Sequence, residues 1–217
     1  MTEAAKRKKH GARKHLPKGL MVVHEDDDLI VVDKPAGMLT MGTAREKVKT
    51  VYYALTNYVR KGNPKSRNRI FIIHRLDRET SGLLVFAKNE QTKHELQNRW
   101  EHVRKEYVAV VDGVPRKAKD SITGLLAENE AHRVYSTTDE ERGKFARTDY
   151  AIVAQTKDRA LLKVTLQTGR KHQIRVHLAD LGNPVVGDRK YGHEKQAARQ
   201  LVSKRLVSAH EVEVGLL

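Results

Sequence analysis

The stretch His-Arg-Leu-Asp-Arg-Glu-Thr-Ser-Gly-Leu-Leu-Val-Phe-Ala, residues 74–87, is a polar turn that leads directly into an apolar strand. The turn places Asp77 between Arg75 and Arg78, and cationic neighbours favour the ionised form of a carboxylate. An ionised carboxylate presented on such a turn can serve as a nucleophile or as an acid–base group. A solvated charged turn is the alternative interpretation, and the Gly, Thr and Ser residues ahead of an apolar strand favour the functional one.

Outward from this turn, apolar runs predict further strands and helical spacing predicts helices. The predicted strands cover residues 22–24, 29–32, 83–87, 107–111 and 160–166, and the predicted helices follow Thr50, Asn89 and the turn at residues 167–170. Residues 116–147 are polar and weakly periodic, which is compatible with a hairpin or with an irregular lobe. Because strands outnumber helices and mostly lack βαβ alternation, we expect an α+β fold built on a mixed, largely antiparallel sheet with flanking helices and loops.

The chain has 217 residues, which is enough to bury a sizeable core, and no Pro, Ser or Gly-rich linker divides it. We predict a basic flexible N-terminal arm over residues 1–18 and one catalytic domain over residues 19–217. A basic loop at residues 61–69 has two interpretations, a disordered connector and a contact to a phosphate backbone.

Lys and Arg number 42 against 27 Asp and Glu, which gives a formal net charge of +15. Such a surplus supplies the phosphate attraction that dominates non-specific binding to nucleic acids. A generally soluble basic protein and a ligand of anionic membranes are the alternatives. Since the chain contains no cysteine, disulfides and thiolate-bound metals are excluded, and a reducing cytoplasm fits. No segment has the apolar core of a secretory signal or the roughly 20 apolar residues of a membrane span.

A second dense group of polar residues, Thr-Gly-Arg-Lys-His-Gln-Ile-Arg-Val-His, lies at residues 168–177. His172 and Arg175 share a helix face because they are three apart, whereas His172 and His177, five apart, do not. Helical zinc ligands stand four apart, so we predict no metal site here. The turn that contains Arg170 opens a helix, and a helix N-terminus suits an anionic ligand; a solvated helix face is the alternative.

Four ordered segments together resemble the pseudouridine synthases of the RluA type. The signature of that family, His-Arg-Leu-Asp-Arg-(Asp or Glu)-Thr-Ser-Gly-Leu, is filled at every place over residues 74–83. The other similar segments are residues 32–38, 105–113 and 168–178, followed by Gly187-Asp188 and Tyr191-Gly192. The resemblance covers residues 19–192. It weakens at residues 207–212, where this chain lacks the Leu-His-Ala strand that is usual in the family.

The resemblance implies that Asp77 is the catalytic nucleophile or base and that Arg175 is the basic partner that pairs with it. Tyr107 would pack on the target base, and Arg75 would fill the space that a flipped uridine vacates. The other matched polar residues would face the RNA, and they are His74, Arg78, Arg170, His172 and Lys34.

The implied reaction is the isomerisation of uridine in ribosomal or transfer RNA to pseudouridine, without a metal or a cofactor. Because the target base is stacked, it must be flipped out, at a cost of roughly a few kcal/mol that phosphate contacts offset. A monomer in the cytoplasm that does not bind membranes is the expected form. The rival hypotheses are a non-catalytic RNA-binding or ribosome-assembly protein of the same fold and a nucleoside or glycoside hydrolase. A hydrolase uses two carboxylates, and we interpret Glu79, the nearest candidate to Asp77, as a local structural charge.

Overall fold

The computed structural model of the protein describes residues 16–192. The chain divides into two compact units. One comprises the chain up to Arg78 together with Leu84–Lys93, and the other comprises Glu79–Leu83 and the chain from His94 onward. Most of the predicted arm, residues 1–18, and the segment 207–212 lie outside the described residues. The single catalytic domain over residues 19–217 stays a prediction.

The first unit is built on a four-stranded sheet. Its strands are β1 (Met21–Glu25), β2 (Leu29–Lys34), β3 (Phe71–Ile72) and β4 (Gly82–Ala87). They follow the order β1, β2, β4, β3, with β1 antiparallel to β2 and β3 antiparallel to β4. The centre of the sheet is apolar, because Ile30 and Val32 of β2 and Leu84 and Phe86 of β4 are fully buried. These alternating positions are the ones that the sequence predicted to lie in strands.

Helix α1, Val51–Val59, begins where the sequence predicted it. The Thr50 side chain accepts a hydrogen bond from the backbone N–H of Tyr53 at 3.1 Å, which is how an N-cap satisfies a donor at the start of a helix. The buried residues of α1 are Val51, Ala54, Leu55 and Val59, and this spacing places them on one helix face. The helix therefore packs through one apolar stripe and leaves its other face accessible.

Helix α2, Glu90–Asn98, buries none of its side chains. It continues into the second unit, which is built on a five-stranded antiparallel sheet and one further helix. The strands are β5 (Lys105–Asp112), β6 (Lys119–Glu128), β7 (Val134–Thr137), β8 (Lys144–Gln155) and β9 (Arg159–Leu166), and the helix is α3 (Gln173–Asp180). They follow the order β5, β9, β8, β6, β7, and every neighbouring pair is antiparallel.

The core of the second unit joins the sheet to α3. Val111 of β5, Leu162 and Val164 of β9 and Leu178 of α3 are all fully buried in one apolar cluster. Burying an aliphatic side chain of this size stabilises the fold by about 1.5–3 kcal/mol. This packing fixes α3 on the sheet and with it the position of the polar side chains that α3 carries.

The α+β class is confirmed, and the pairs β1–β2 and β3–β4 and all the pairs of the second unit are antiparallel, in line with the largely antiparallel sheet that we predicted. The strands form two sheets rather than the single sheet that we expected, because β5 to β9 pair among themselves. Residues 116–147 supply β6, β7 and the start of β8, so the hairpin interpretation of this region holds. Helix α3 begins at Gln173, because His172 before it has a left-handed φ of 53°. None of the helices in residues 16–192 is long and apolar enough to cross a membrane.

Candidate active site

The turn that carries Asp77 is anchored on both sides of this residue, within the first unit. On one side, the buried Thr40 hydroxyl donates to the Leu76 carbonyl at 2.7 Å and accepts from the Leu76 N–H at 3.1 Å. On the other side, the Arg78 carbonyl accepts from the Gly37 N–H at 2.7 Å. Because the main-chain groups of both neighbours of Asp77 are hydrogen-bonded, the backbone that presents its carboxylate is held in place before any substrate binds.

Lys34 is fully buried and provides a further contact to this turn. Its ammonium donates to the carbonyls of Pro35 at 3.0 Å, Met38 at 2.7 Å and Arg78 at 3.2 Å. A side chain with no exposed surface cannot reach an RNA phosphate, so we correct the expectation that Lys34 contacts RNA. Its charge instead ties the Pro35–Met38 turn to the Asp77 turn.

The other predicted residues of this turn divide into one anchored and two exposed side chains. His74 is half-buried, and its Nε2 accepts from the backbone N–H of Val85 at 3.1 Å, which joins the turn to strand β4. Arg75 and Arg78 are exposed, so their guanidinium groups lie where a polyanion can reach them. The contact of these three residues with RNA stays a prediction.

Arg175 lies on α3 in the second unit, where its guanidinium is 4.0 Å from the Glu79 carboxylate and forms a close ion pair with Asp188. The guanidinium Nε and Nη2 donate to the two carboxylate oxygens at 2.7 and 2.9 Å, the bidentate geometry that is strongest for this pair. The same carboxylate accepts from the N–H groups of Lys190 and Tyr191. Burial opposes ionisation of Asp188, but the Arg175 guanidinium and these two N–H groups outweigh it and keep the pKa of Asp188 below its usual value.

Tyr191 supports Arg175 from a second direction. The guanidinium carbon lies 5.1 Å from the centre of the Tyr191 ring, within the range of a cation–π contact. The Tyr191 hydroxyl forms a 2.8 Å hydrogen bond with Nδ1 of His172 and accepts from the Val134 N–H at 3.1 Å. Burial raises the pKa of the Tyr191 hydroxyl, so this group keeps its proton at neutral pH. The predicted residue His172 therefore holds the ring on which Arg175 rests.

Positive charge is concentrated around the same ring. Arg133 lies 5.3 Å and Lys190 5.9 Å from the ring centre, in addition to Arg175. Burial lowers the pKa of Lys190, and the charges of Lys171, Arg175 and Arg133 lower it further. Three cationic groups therefore lie around one ring of the second unit, and the carboxylates of Asp188 and Glu128 pair with Arg175 and Lys171 beside it.

Gln173 organises the turn before α3. Its buried side-chain oxygen accepts from the Arg170 N–H at 2.9 Å and from the Thr168 hydroxyl at 2.8 Å. Its amide nitrogen donates to the Arg147 carbonyl and to the Thr148 hydroxyl. The side chain of Arg170 is exposed and donates through Nε to the Phe145 carbonyl. The predicted anion contact of Arg170 is compatible with this position and stays a prediction.

Tyr107 lies in strand β5, opposite Val164 of β9, and it is half-buried against the apolar cluster of the second unit. Its neighbour Glu106 is buried and pairs with Arg104 at 2.6 Å and Lys163 at 3.0 Å. The strand that presents Tyr107 is thus held by a full ladder of backbone pairs and by these ion pairs.

The predicted residues fall into two groups, one in each unit. Arg75, Asp77 and Arg78 belong to the first unit, whereas Tyr107 and Arg175 belong to the second. The pairing of Asp77 with Arg175 therefore stays a prediction. Within residues 16–192, no three His, Cys, Asp or Glu side chains are placed to hold a metal ion.

The structure also gives roles to residues that sequence reasoning left without one. Thr40 clamps Leu76, Gln173 organises the turn before α3, and Asp188 and Tyr191 hold Arg175. The pairs Gly187-Asp188 and Tyr191-Gly192 were the available signal, because they follow the fourth motif in order. Thr40 had no such signal.

Comparison with known proteins identifies the relatives of this chain. A sequence profile of the RNA pseudouridylate synthase family matches residues 28–180, which include Asp77, Tyr107 and Arg175. An uncharacterized RNA pseudouridine synthase of Chlorobaculum parvum is 38% identical over 80% of this chain and 55% of its own length. The ribosomal large subunit pseudouridine synthase D of Zymomonas mobilis is 35% identical over 84% of this chain and 59% of its own length. The tRNA pseudouridine synthase C of Haemophilus ducreyi is 32% identical over 83% of this chain and 77% of its own length.

A solved structure has a similar fold. The human RNA pseudouridylate synthase domain containing 4 superimposes with a TM-score of 0.68 at 25% identity, over 82% of this chain and 70% of that one. This chain spans only about half the length of several curated relatives, 50% and 55% of two of them. Since the profile covers most of the sequence and several relatives exceed 30% identity, the family is settled. The chain belongs to the RNA pseudouridylate synthase family, as its resemblance to the RluA type predicted.

Proposed function

We propose that this protein is an RNA pseudouridine synthase that isomerises uridine in ribosomal or transfer RNA. The observation that carries this proposal is the family match over residues 28–180, which spans the complete set of Asp77, Tyr107 and Arg175. The names of two relatives, one acting on the large ribosomal subunit and one on tRNA, support the two RNA classes. The finer proposal is that the enzyme works as a monomer in the cytoplasm and needs no metal or cofactor.

Asp77 supplies the reactive carboxylate in this proposal. The N1–C1′ bond of the target uridine breaks, the uracil turns over, and a C5–C1′ bond forms. The proton on C5 leaves and N1 gains one, so that no atom is lost or added overall. An ionised carboxylate can assist by attacking C1′ or by removing a proton from C2′. Both routes require Asp77 to be presented from a fixed position, and the anchoring of the Leu76 and Arg78 main chain supports this.

Arg175 acts as the basic partner of Asp77. Its Nε and Nη2 bind Asp188, so the plane and direction of the guanidinium are set by a carboxylate that is itself buried. The pairing with Asp77 is the part of this proposal that the family resemblance implies, and Nη1 itself lies 4.0 Å from Oε2 of Glu79. A guanidinium that is already oriented loses little freedom when it meets a reacting group, and its charge stabilises the ionised carboxylate.

Tyr107 and Arg75 act on the RNA. Tyr107 packs on the face of the flipped uracil, and Arg75 takes the place of that base in the stack. The net charge of +15 and the cationic group around Tyr191 supply the phosphate attraction that offsets the cost of flipping.

A mapping experiment tests the proposal. Ribosomal and transfer RNA that lack pseudouridine are incubated with the wild type, with Asp77→Asn and with Asp27→Asn, and pseudouridine is located by carbodiimide-dependent primer-extension stops. Asp27 is exposed in the same unit and serves as the matched control. We expect new stops with the wild type and Asp27→Asn, and a rate at least about a thousandfold lower with Asp77→Asn.

The same assay separates the rival functions. RNA binding without product at single turnover would identify a non-catalytic RNA-binding protein. Release of free uracil would identify a hydrolase. Equal stops with the wild type and Asp77→Asn would remove Asp77 from the mechanism.

A further inference from the structure

An open groove of about 660 Å³ lies wholly within the first unit. One wall is the outer face of helix α1, and the floor is the short strand β3 with Ile70 before it. The volume falls in the range of about 300–1,000 Å³ that is usual for ligand sites. None of the residues assigned to catalysis or to base flipping lines it.

Aromatic rings dominate this groove. Tyr52 and Tyr53 are 39% and 45% exposed, although they stand in the first turn of a helix whose inner face is fully packed. Phe71 of β3 also lines the groove and is only half-buried. These large rings contribute little to the core of their helix and lie exposed on the surface, and exposed apolar clusters of this kind mark binding sites.

The charge of the groove is entirely positive. Lys47 and Lys93 line it, and no acidic side chain does. The Lys93 ammonium lies 6.0 Å from the centre of the Phe71 ring. Exposed rings interleaved with lysines match single-stranded nucleic acid, because bases stack on the rings while phosphates meet the ammonium groups. A duplex keeps its base faces covered and does not fit this arrangement.

The groove and the Asp77 turn share the same stretches of chain. The groove begins at Met41, directly after Thr40, whose hydroxyl holds Leu76 beside Asp77. Its floor at Ile70–Ile72 ends two residues before His74. RNA bound in the groove therefore contacts residues that are adjacent in sequence to those that position the Asp77 carboxylate.

We propose that this groove binds a single-stranded segment of the substrate RNA next to the target uridine, with bases stacked on Tyr52 and Tyr53 and phosphates at Lys47 and Lys93. The proposal rests on the proposed function in taking RNA as the ligand. It adds a site that selects unpaired RNA around the target.

Binding measurements test the site independently of catalysis. A short fluorescein-labelled single-stranded RNA and the matching duplex are titrated by anisotropy against the wild type and the double variant Tyr52→Ala/Tyr53→Ala. We expect the double variant to bind the single strand at least about fivefold more weakly, and the duplex with an unchanged Kd. Tyr135→Ala, at a tyrosine that is 37% exposed in the second unit, is the matched control and should change neither. Ala favours the helix, and thermal unfolding checks that α1 is intact.

The lysines are tested through salt dependence. Lys47→Gln and Lys93→Gln should each reduce the slope of log Kd against log salt by about 0.7, the value for one phosphate contact on a single strand. Lys157→Gln, at an exposed turn of the second unit, should leave the slope unchanged. Photocrosslinking of the wild type to RNA that contains 4-thiouridine should map to peptides containing Tyr52 or Tyr53.

The outcomes distinguish this site from the proposed function. All binding is repeated in the Asp77→Asn background, so loss of activity does not affect it. Equal single-strand affinity of the wild type and the double tyrosine variant would overturn the groove and leave the proposed function standing. Dimerisation that the tyrosine substitutions abolish, without any effect on RNA, would assign the groove to a second copy of the chain. If the tyrosine substitutions weaken RNA binding but the wild type makes no pseudouridine, the groove proposal stands and the proposed function is wrong.

Discussion

The Arg175 guanidinium and the Asp188 carboxylate form a bidentate ion pair, with Nε to Oδ2 at 2.7 Å and Nη2 to Oδ1 at 2.9 Å. The side chain of Asp188 is only 3% exposed and that of Arg175 17%. A pair this well shielded fixes the orientation of Arg175, so Asp188 is a positioning residue for the arginine that we assign to the active site.

Replacement of Asp188 tests this positioning. Asp188→Asn leaves the buried guanidinium without its countercharge, so we expect a loss of about 3 kcal/mol of stability. In protein that remains folded, kcat should fall about a hundredfold while KM changes little, because Arg175 is misplaced rather than removed. Urea unfolding and steady-state kinetics measure the two effects. The control is Glu79→Gln, whose carboxylate lies 4.0 Å from Arg175 and is 68% exposed, and it should change stability by less than about 0.5 kcal/mol. A parallel loss in both variants would contradict the assignment.

Arg175 itself should serve catalysis more than RNA binding. Arg175→Met keeps the volume of the side chain and removes the charge, so kcat should fall at least about a thousandfold while the Kd for RNA stays within about threefold. Arg175→Lys keeps the charge without the bidentate fork and should recover only part of the rate. Anisotropy and single-turnover assays on the same preparations compare the two quantities. If RNA affinity falls as much as the rate does, Arg175 is not the charge partner of Asp77. The partner then lies within the turn at residues 74–83.

Thr40 should control the Asp77 turn from a distance of 36 residues in the sequence. Thr40→Val removes both hydrogen bonds to Leu76 and leaves a buried N–H and a buried carbonyl unsatisfied, which costs about 2–4 kcal/mol. We expect a lower melting temperature and a lower kcat. Thr40→Ser retains the hydroxyl and should stay within about 1 kcal/mol of the wild type. If valine and serine behave alike, the hydroxyl does not hold the turn.

Lys34 separates stability from RNA binding. Lys34→Met removes three hydrogen bonds that the buried ammonium donates to partly buried carbonyls, so we expect a loss of about 2–4 kcal/mol in urea unfolding. The RNA affinity of the folded protein should be unchanged, because the ammonium has no exposed surface. Arg75→Gln should show the opposite pattern, with normal stability and weaker RNA binding. If Lys34→Met protein is stable but binds RNA more weakly, Lys34 does contact RNA.

His177 should make the second unit sensitive to acid. It is 2% exposed, its Nδ1 bonds to the Thr148 hydroxyl at 2.9 Å, and within residues 16–192 its Nε2 has no hydrogen-bond partner. Burial lowers the pKa of His177 below its usual 6.5. The unfolded chain therefore binds a proton below about pH 6.5 that the folded chain does not, so the contribution of His177 is complete above that pH and is lost as the pH falls toward the folded pKa.

Urea unfolding of the wild type and His177→Asn between about pH 7.5 and 5 measures this contribution. The free energy of unfolding of the wild type should fall with decreasing pH more steeply than that of the variant. If the free energies of unfolding of the wild type and the variant fall in parallel with pH, a group other than His177 causes the acid sensitivity.

Much of the architecture follows from local sequence patterns. The Thr50 cap and the apolar stripe of α1, the strands β1 and β2 and the tyrosine strand β5 were all predicted, because caps, turns and alternation act over a few residues. The number of sheets was not predicted. It depends on which strands pair, and β5 pairs with β9, which lies about fifty residues later. The start of α3 was misplaced because the left-handed backbone of His172 leaves no mark in the helical spacing.

The sequence alone determined the family, and it predicted the acidic residue of the turn and a polyanionic partner, since these depend on residue identity, order and total charge. Only the tertiary structure decided how those residues are held. Lys34 changed from an expected RNA contact to a buried support, and Thr40, Asp188 and Tyr191 acquired roles that no spacing predicted. The physical reason is that a buried charge or hydroxyl must be satisfied by whatever the folded chain places around it, and that set of neighbours exists only after distant segments have packed together.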